Sequence, residues 1–327
     1  MTPRALILIA AALLIGGPVA AADYRAPRNA AGQPDLQGVW NTHFFLPMEA
    51  RPDMPSLTLP EAEAAAFARK LNAEAGKLAI FAQDPEVAEI RSDPGRSDLA
   101  IVRGQRRTRQ VVLPADGMLP LTRGARGQMR FIENALRTQT EPPFPLDGPE
   151  QRPSWERCVV GWGQPPISSV SDINPRQIVQ TRDAVVILTE YGPDLRIIPF
   201  TGTHGPLLQA SALGDAIAHW EGDTLVVETI GLPAKDALRP FPTLFVPATA
   251  KVIERYTRVS EKELLYQYTV VDPAIYTAPW LAEYSLYRTA QPIFEFACHE
   301  GNYSLPNILA GARHREQQAS AAPDRRE

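Results

Sequence analysis

The stretch Ala216–Ile230, AIAHWEGDTLVVETI, carries His219, Glu221, Asp223 and Glu228 within ten residues. Two readings compete: a cluster for acid–base chemistry, or a hairpin that needs polar residues to turn. Glu221-Gly222 stands between a short strand and the β-branched run Thr224–Thr229, and glycine supplies the positive φ that a tight turn demands. An Asp beside a turn glycine accepts backbone hydrogen bonds, so neither Asp223 nor Glu221 needs a catalytic reason to be there. Glu228 is different. It shares a face with Thr224 and Val226, opposite Leu225 and Val227, at the strand end far from the turn.

Outward from this hairpin the same two-residue period recurs. Gln177–Thr181 and Ala184–Glu190 flank Arg182-Asp183, and Leu195–Phe200, Lys251–Arg258, Glu263–Val271, Trp280–Arg288 and Ile293–His299 follow, with Leu36–Trp40 near the start. About ten strands joined by short turns predict a mainly β fold, an antiparallel meander that closes into a lipocalin-like β-barrel to remove its edges. Gly38-Val39-Trp40 on the first strand fits a barrel whose end is plugged by tryptophan; a two-sheet sandwich is the alternative. The 32 prolines crowd into connections such as Pro47–Pro60 and exclude long helices from much of the chain. Two helices are still predicted, over Thr58–Gly76, with a Thr cap, proline and Glu in its first turn and a closing glycine, and over Leu121–Leu136. They fall in an insertion at about 47–150 within a single domain spanning 23–315, before a disordered tail at 316–327.

Arg4, the apolar run Ala5–Ile15 and Ala20-Ala21-Ala22 form a secretory signal peptide, 1–22, with cleavage expected after Ala22. The apolar run is shorter than the ~20 residues of a membrane span, so no stable membrane insertion is expected after cleavage and the protein is expected to be periplasmic or secreted. In that compartment the two cysteines, Cys158 and Cys298, are expected to pair. With 33 Lys and Arg against 37 Asp and Glu and no long basic run, nucleic acid is not an expected partner.

The segments Pro34–Trp40 (PDLQGVW), Glu156–Cys158 (ERC), Gln177–Thr181 (QIVQT), Trp220–Val227 (WEGDTLVV), Asp272–Trp280 (DPAIYTAPW) and Cys298–Glu300 (CHE) together resemble a large family of exported bacterial proteins seen in proteobacteria and soil acidobacteria. The resemblance covers most of the chain after the signal segment. It implies export and a single β-rich domain, and implies no particular reaction. His219 departs from it, standing where the resemblance implies a basic residue, often arginine.

Candidate chemistry comes from strand parity. If Ile293–Glu300 runs without a bulge, Phe294, Phe296, Cys298 and Glu300 share an apolar face, where desolvation raises a carboxyl pKa and suits it to acid–base work. The bland reading pairs Glu300 with a buried arginine, Arg196 or Arg255. Glu300, Glu228 and His219 are thus the candidate catalytic residues. Tyr266 and Tyr268, on one face of their strand, with Trp280, Arg196 and Arg255, are candidates for holding a small, partly apolar or aromatic substrate. Ordinary core packing is the competing reading for these aromatic residues. The five histidines, His43, His204, His219, His299 and His314, show no ligand spacing, so no metal is expected, and no nucleotide fingerprint or nucleophile elbow points to a cofactor or acyl enzyme. The expected function is small-molecule binding, leaning to a cofactor-independent lyase, isomerase or hydrolase. A non-catalytic binding protein and an envelope interaction protein remain as alternatives.

Overall fold

The structure is a computed structural model that describes residues 24–42, 46–75, 99–138, 144–167, 169, 175–200, 202–205, 211–240 and 243–321. The expected signal peptide, His43 and residues 322–327 lie outside the described residues.

Ten strands form one antiparallel sheet: β1 Gly38–Asn41, β2 Val111–Leu113, β3 Arg176–Gln180, β4 Ala184–Thr189, β5 Asp194–Pro199, β6 Asp215–Glu221, β7 Thr224–Ile230, β8 Lys251–Arg258, β9 Glu263–Val271 and β10 Leu281–Thr289. Their order is β5-β4-β3-β1-β10-β9-β8-β7-β6, with β2 beside β10. The first strand therefore breaks the expected meander by entering between β3 and β10. The period seen in the sequence is the period of burial. In β5, Asp194, Arg196 and Ile198 are buried while Leu195, Ile197 and Pro199 face solvent; in β8, Val252, Glu254, Tyr256 and Arg258 face inward. The hairpin at the opening stretch is present: Glu221 pairs with Thr224 across Gly222-Asp223, and Gly222 sits at φ +60°. A Cβ there would meet nothing within 4 Å, so the glycine answers to backbone conformation rather than space. Asp223 uses its carboxylate on Arg28, 2.6 Å away, rather than on the turn.

The sheet curls until its two edges face each other. Arg196 on edge strand β5 reaches Glu254 on β8 and Thr229 on β7, across the inside of the sheet. Among the described residues β5 is laddered only to β4 and β6 only to β7, so no hydrogen-bonded sheet is closed into a barrel and the two edges meet through side chains. Trp40 is fully buried, donates its indole N–H to Leu36 O (2.8 Å) and lies beneath the guanidinium groups of Arg258 and Arg288.

Chain that precedes β3 fills the inside. Tyr268 donates to Gln110 Oε1 (2.8 Å), Tyr284 donates to Ile167 O (2.7 Å), and Tyr266 accepts from Ile167 N–H (2.8 Å). Helix α1 (Glu61–Ala75) packs Ala64, Phe67, Ala68 and Leu71 with Leu99 in a small separate core, and α2 (Arg123–Thr138) sends Ala125 and Met129 into the main one. Both helices lie where the sequence places them.

Two expectations are corrected. Ile293–His299 is not a strand: Pro292 precedes it, and β10, the strand it follows, already has β1 and β9 on its two sides, so it cannot pair back onto that neighbour. Its backbone is held instead by Phe294 N–H donating to Glu190 (2.7 Å), by Phe296 packed on Tyr191 and by the Cys158–Cys298 disulfide, which joins residues 140 apart in sequence. The expected tail begins as helix: α3 spans Ser304–Ala321, its first turn receiving Asn302 Oδ1 on Leu305 N–H (3.3 Å) and its later turns an Arg313–Glu316 pair. Alanine, glutamine and arginine favour helix there without a large buried face. Among the described residues no helix is long and apolar enough to cross a membrane.

Candidate functional site

Cross-strand register arranges the outer face of β6, β7 and β8 in rows: Glu221–Thr224–Thr257, His219–Val226–Arg255, and Ile217–Glu228–Ile253, with Asp215 opposite Ile230 beyond them. Leu225, Val227 and Thr229 point to the core, each fully buried. Glu228 therefore keeps the company that parity gives it but lies on the outer face, not inside the sheet as expected.

His204, in the loop after β5, lies over this face. Its Nδ1 is 2.9 Å from Asp215 Oδ2 and its Nε2 is 3.3 Å from Glu228 Oε1, and Lys251 Nζ is 2.8 Å from the same Glu228 oxygen. The imidazole is largely buried, with 15% of its side chain exposed. Burial pushes the Glu228 carboxyl up, but the hydrogen bond and charge of Lys251, followed by His204, outweigh it and hold the group below the usual carboxylate range. The two carboxylates hold the ring between them, Asp215 on Nδ1 and Glu228 on Nε2, and so set its orientation. The arrangement is a histidine oriented by one carboxylate and facing a second, with an ammonium to balance charge. One row from Glu228, His219 is exposed and contacts Glu221 (3.2 Å), which also pairs with Arg255 (2.8 Å). The Arg255 hydrogen bond is the larger reason that Glu221 stays below its ordinary pKa.

Where the two sheet edges meet, a groove of about 300 Å³ is lined by Phe200, Trp220, Ala218, His219, Gly202, Arg182 and Gln33. The Phe200 and Trp220 rings, from opposite edges, are 6.5 Å apart at their centroids. Gly202 places one wall of the groove two residues before His204 in the chain.

Inside the sheet the polar groups are committed to one another. Glu254 and Arg196 are a fully buried pair joined at 3.1 and 2.5 Å, and Tyr256 and Tyr266 each donate to Glu254 Oε1 at 2.9 Å. Burial alone lowers the Arg196 pKa, but Glu254 more than reverses that. Burial, then the Glu254 charge, pushes both tyrosine hydroxyls well up.

At the β4–β5 turn, Asp194 accepts from Gly161 N–H (2.9 Å) and Gly163 N–H (2.8 Å). A Cβ on Gly163 would stand 2.6 Å from the Asp194 Cβ, so only glycine admits this approach. Burial raises the Asp194 carboxyl to about 6 despite those donors and the nearby Arg196 and Arg239. Burial likewise pulls Arg239 down to about 10 against the charges of Asp236 and Asp194. A pH dependence follows. The folded carboxyl holds its proton more tightly than the unfolded one, so this group favours the fold most below about pH 4 and loses that contribution as pH rises through 6. A shift of about two units is worth about 3 kcal/mol. Unfolding free energies of the wild type and Asp194→Asn, measured from pH 4 to pH 7, should diverge by that order in the wild type's favour at the acid end; parallel curves would refute it.

The structure thus gathers Glu228, but not Glu300 or His219, around a titratable centre. Glu300 is exposed in the turn after the disulfide, because the strand that would aim it inward is absent. Arg196 pairs with Glu254 and Arg255 with Glu221, so neither is Glu300's partner. Tyr266, Tyr268 and Trp280 are buried in the main core against each other and the first half of the chain, in place of an open interior pocket. His204 is the residue that sequence reasoning passed over. It stands 11 residues before Asp215 and 24 before Glu228, in a loop without periodicity, and carries no spacing signal. Glu254 was legible: it is a carboxylate alternating with Val252 and Tyr256 on a strand's apolar face. Among the described residues no group of three His, Cys, Asp or Glu side chains is arranged to hold a metal ion. In comparisons with known proteins, no family model matches the chain and no curated protein matches it significantly.

Proposed function

We propose that the protein is an exported small-molecule-binding protein with cofactor-independent acid–base activity of the lyase, isomerase or hydrolase type, centred on His204. The observation that carries this reading is the imidazole set between Asp215 and Glu228, with Lys251 on the second carboxylate. Asp215 is the orienting residue, His204 Nε2 exchanges the proton, and Glu228 stabilises the imidazolium when it forms. The aromatic groove beside the loop that carries His204 supplies a place for the substrate. The curled sheet acts as a lipocalin-like barrel whose seam between β5 and β6 is packed by side chains; the stacked Trp40 end and the Arg196 contacts across the interior support that comparison. The disulfide and the sequence's signal segment support a periplasmic or secreted location.

Small molecules captured from a periplasmic extract by the purified mature protein, then identified by mass spectrometry before and after incubation, test the proposal. A compound converted by the wild type should be converted about 10²–10⁴-fold more slowly by His204→Gln, at an unchanged melting temperature. Equal rates in the two proteins would remove His204 from the chemistry. Captured compounds returned unchanged would favour a non-catalytic binding protein, a reading supported by Lys251 already neutralising Glu228. The third class, an envelope interaction protein, draws support from the exposed strip of Leu195, Ile197 and Val179 on the outer face of β5 and β3.

A further inference from the structure

We infer that the groove between Phe200 and Trp220 takes a small planar aromatic carboxylate, a single ring with a short acidic side chain. This names the substrate class for the acid–base reading above and rests on it for the groove's assignment to a substrate. Size comes first. A volume of about 300 Å³ lies at the small end of ligand cavities and suits one ring with a few further atoms. Shape comes next. Phe200 directly follows β5 and Trp220 belongs to β6, and among the described residues no backbone ladder joins these edges, so both aromatic side chains line the groove between them. Two aromatic walls tilted by 34° favour a flat conjugated guest over a bulky aliphatic one.

Charge sets the sign of the guest. Arg182 and Gln33 bring donors to the groove, His219 is engaged with Glu221, and no carboxylate lines the groove. The Arg182 guanidinium pairs through Nε with the adjacent Asp183 (3.1 Å) and is otherwise out in solvent, with 88% of its side chain exposed, so its terminal nitrogens remain for a planar acid. Gln33 turns its Oε1 to Asn29, which leaves its amide NH₂ as a donor. A cationic guest would meet Arg182 with like charge, and a purely apolar one would leave the Arg182 and Gln33 donors unused. An aromatic body with a carboxylate satisfies both the rings and the donors.

Calorimetric titration of the mature protein with cinnamate, cinnamamide and cyclohexanecarboxylate tests this. Cinnamate should bind about tenfold tighter than either comparator, since one charge-assisted contact or one stacked ring is worth about that factor. Arg182→Gln should bring the acid down to the amide, and Trp220→Leu should weaken cinnamate by about tenfold. Arg182 is exposed, so its replacement reads out binding even where Trp220→Leu fails to fold. Equal affinity for acid and amide, or an Arg182→Gln protein that still prefers the acid, would overturn the inference. Cinnamate binding without turnover of any captured compound would count for this site and against acid–base chemistry. His204-dependent turnover in a protein that shows no preference for the acid would overturn this site alone.

Discussion

Glu254→Gln is expected to destabilise the protein by about 3–5 kcal/mol. The exchange keeps volume and an acceptor oxygen but leaves the Arg196 guanidinium, fully buried and with no hydrogen-bond partner for its Nε among the described residues, without its paired carboxylate. Two tyrosine hydroxyls that now converge on one carboxylate oxygen would share a weaker neutral acceptor. Thermal unfolding should show a drop on the order of 10 °C. The paired replacement Arg196→Met with Glu254→Leu separates two causes. A buried ion pair exchanged as a unit for apolar groups costs little, so the double variant should recover most of the loss. Near-wild-type stability in Glu254→Gln would mean that water or another charge compensates Arg196.

Loss of the Cys158–Cys298 bridge should cost up to about 5 kcal/mol, since it closes a loop of 140 residues and the chain-entropy penalty grows with loop length. The damage should also have a place. Cys158 is held at φ +56°, a conformation that disfavours a non-glycine residue, and three residues later Gly161 begins the donor pair for Asp194. Asn302 adds a second tie, donating to Glu156 O at 2.8 Å from the head of α3. Urea unfolding of Cys158→Ala/Cys298→Ala, beside the wild type with and without reductant, gives the comparison. The reduced wild type should match the double variant, and equal stability of all three would refute the expectation.

Most of the sheet was legible one segment at a time. Alternation over Gln177–Thr181, Ala184–Glu190 and Lys251–Arg258, together with the glycine of the Gly222 turn, marks strands because side chains on a pleated backbone alternate between core and solvent whatever the rest of the chain does. The same rule failed at Ile293–Glu300. Alternation states which residues would share a face, but a strand also needs a free edge, and β1 and β9 already occupy both sides of β10. The candidate site was legible only in part. Parity placed Glu228 with Thr224 and Val226; only the curl of the sheet decided that this face is the outer one.

The sequence by itself determined the hairpin at Gly222, the strand faces, the two helices of the first half and the presence of two cysteines able to pair. These depend on local backbone preference and short-range periodicity. Only the tertiary structure decided that the first strand lies between β3 and β10, that segments preceding β3 fill the interior where a ligand pocket was expected, and that His204 meets Asp215 and Glu228. Those outcomes depend on which distant segments compete for one edge, one cavity or one charge, and that competition is resolved only when the whole chain is packed.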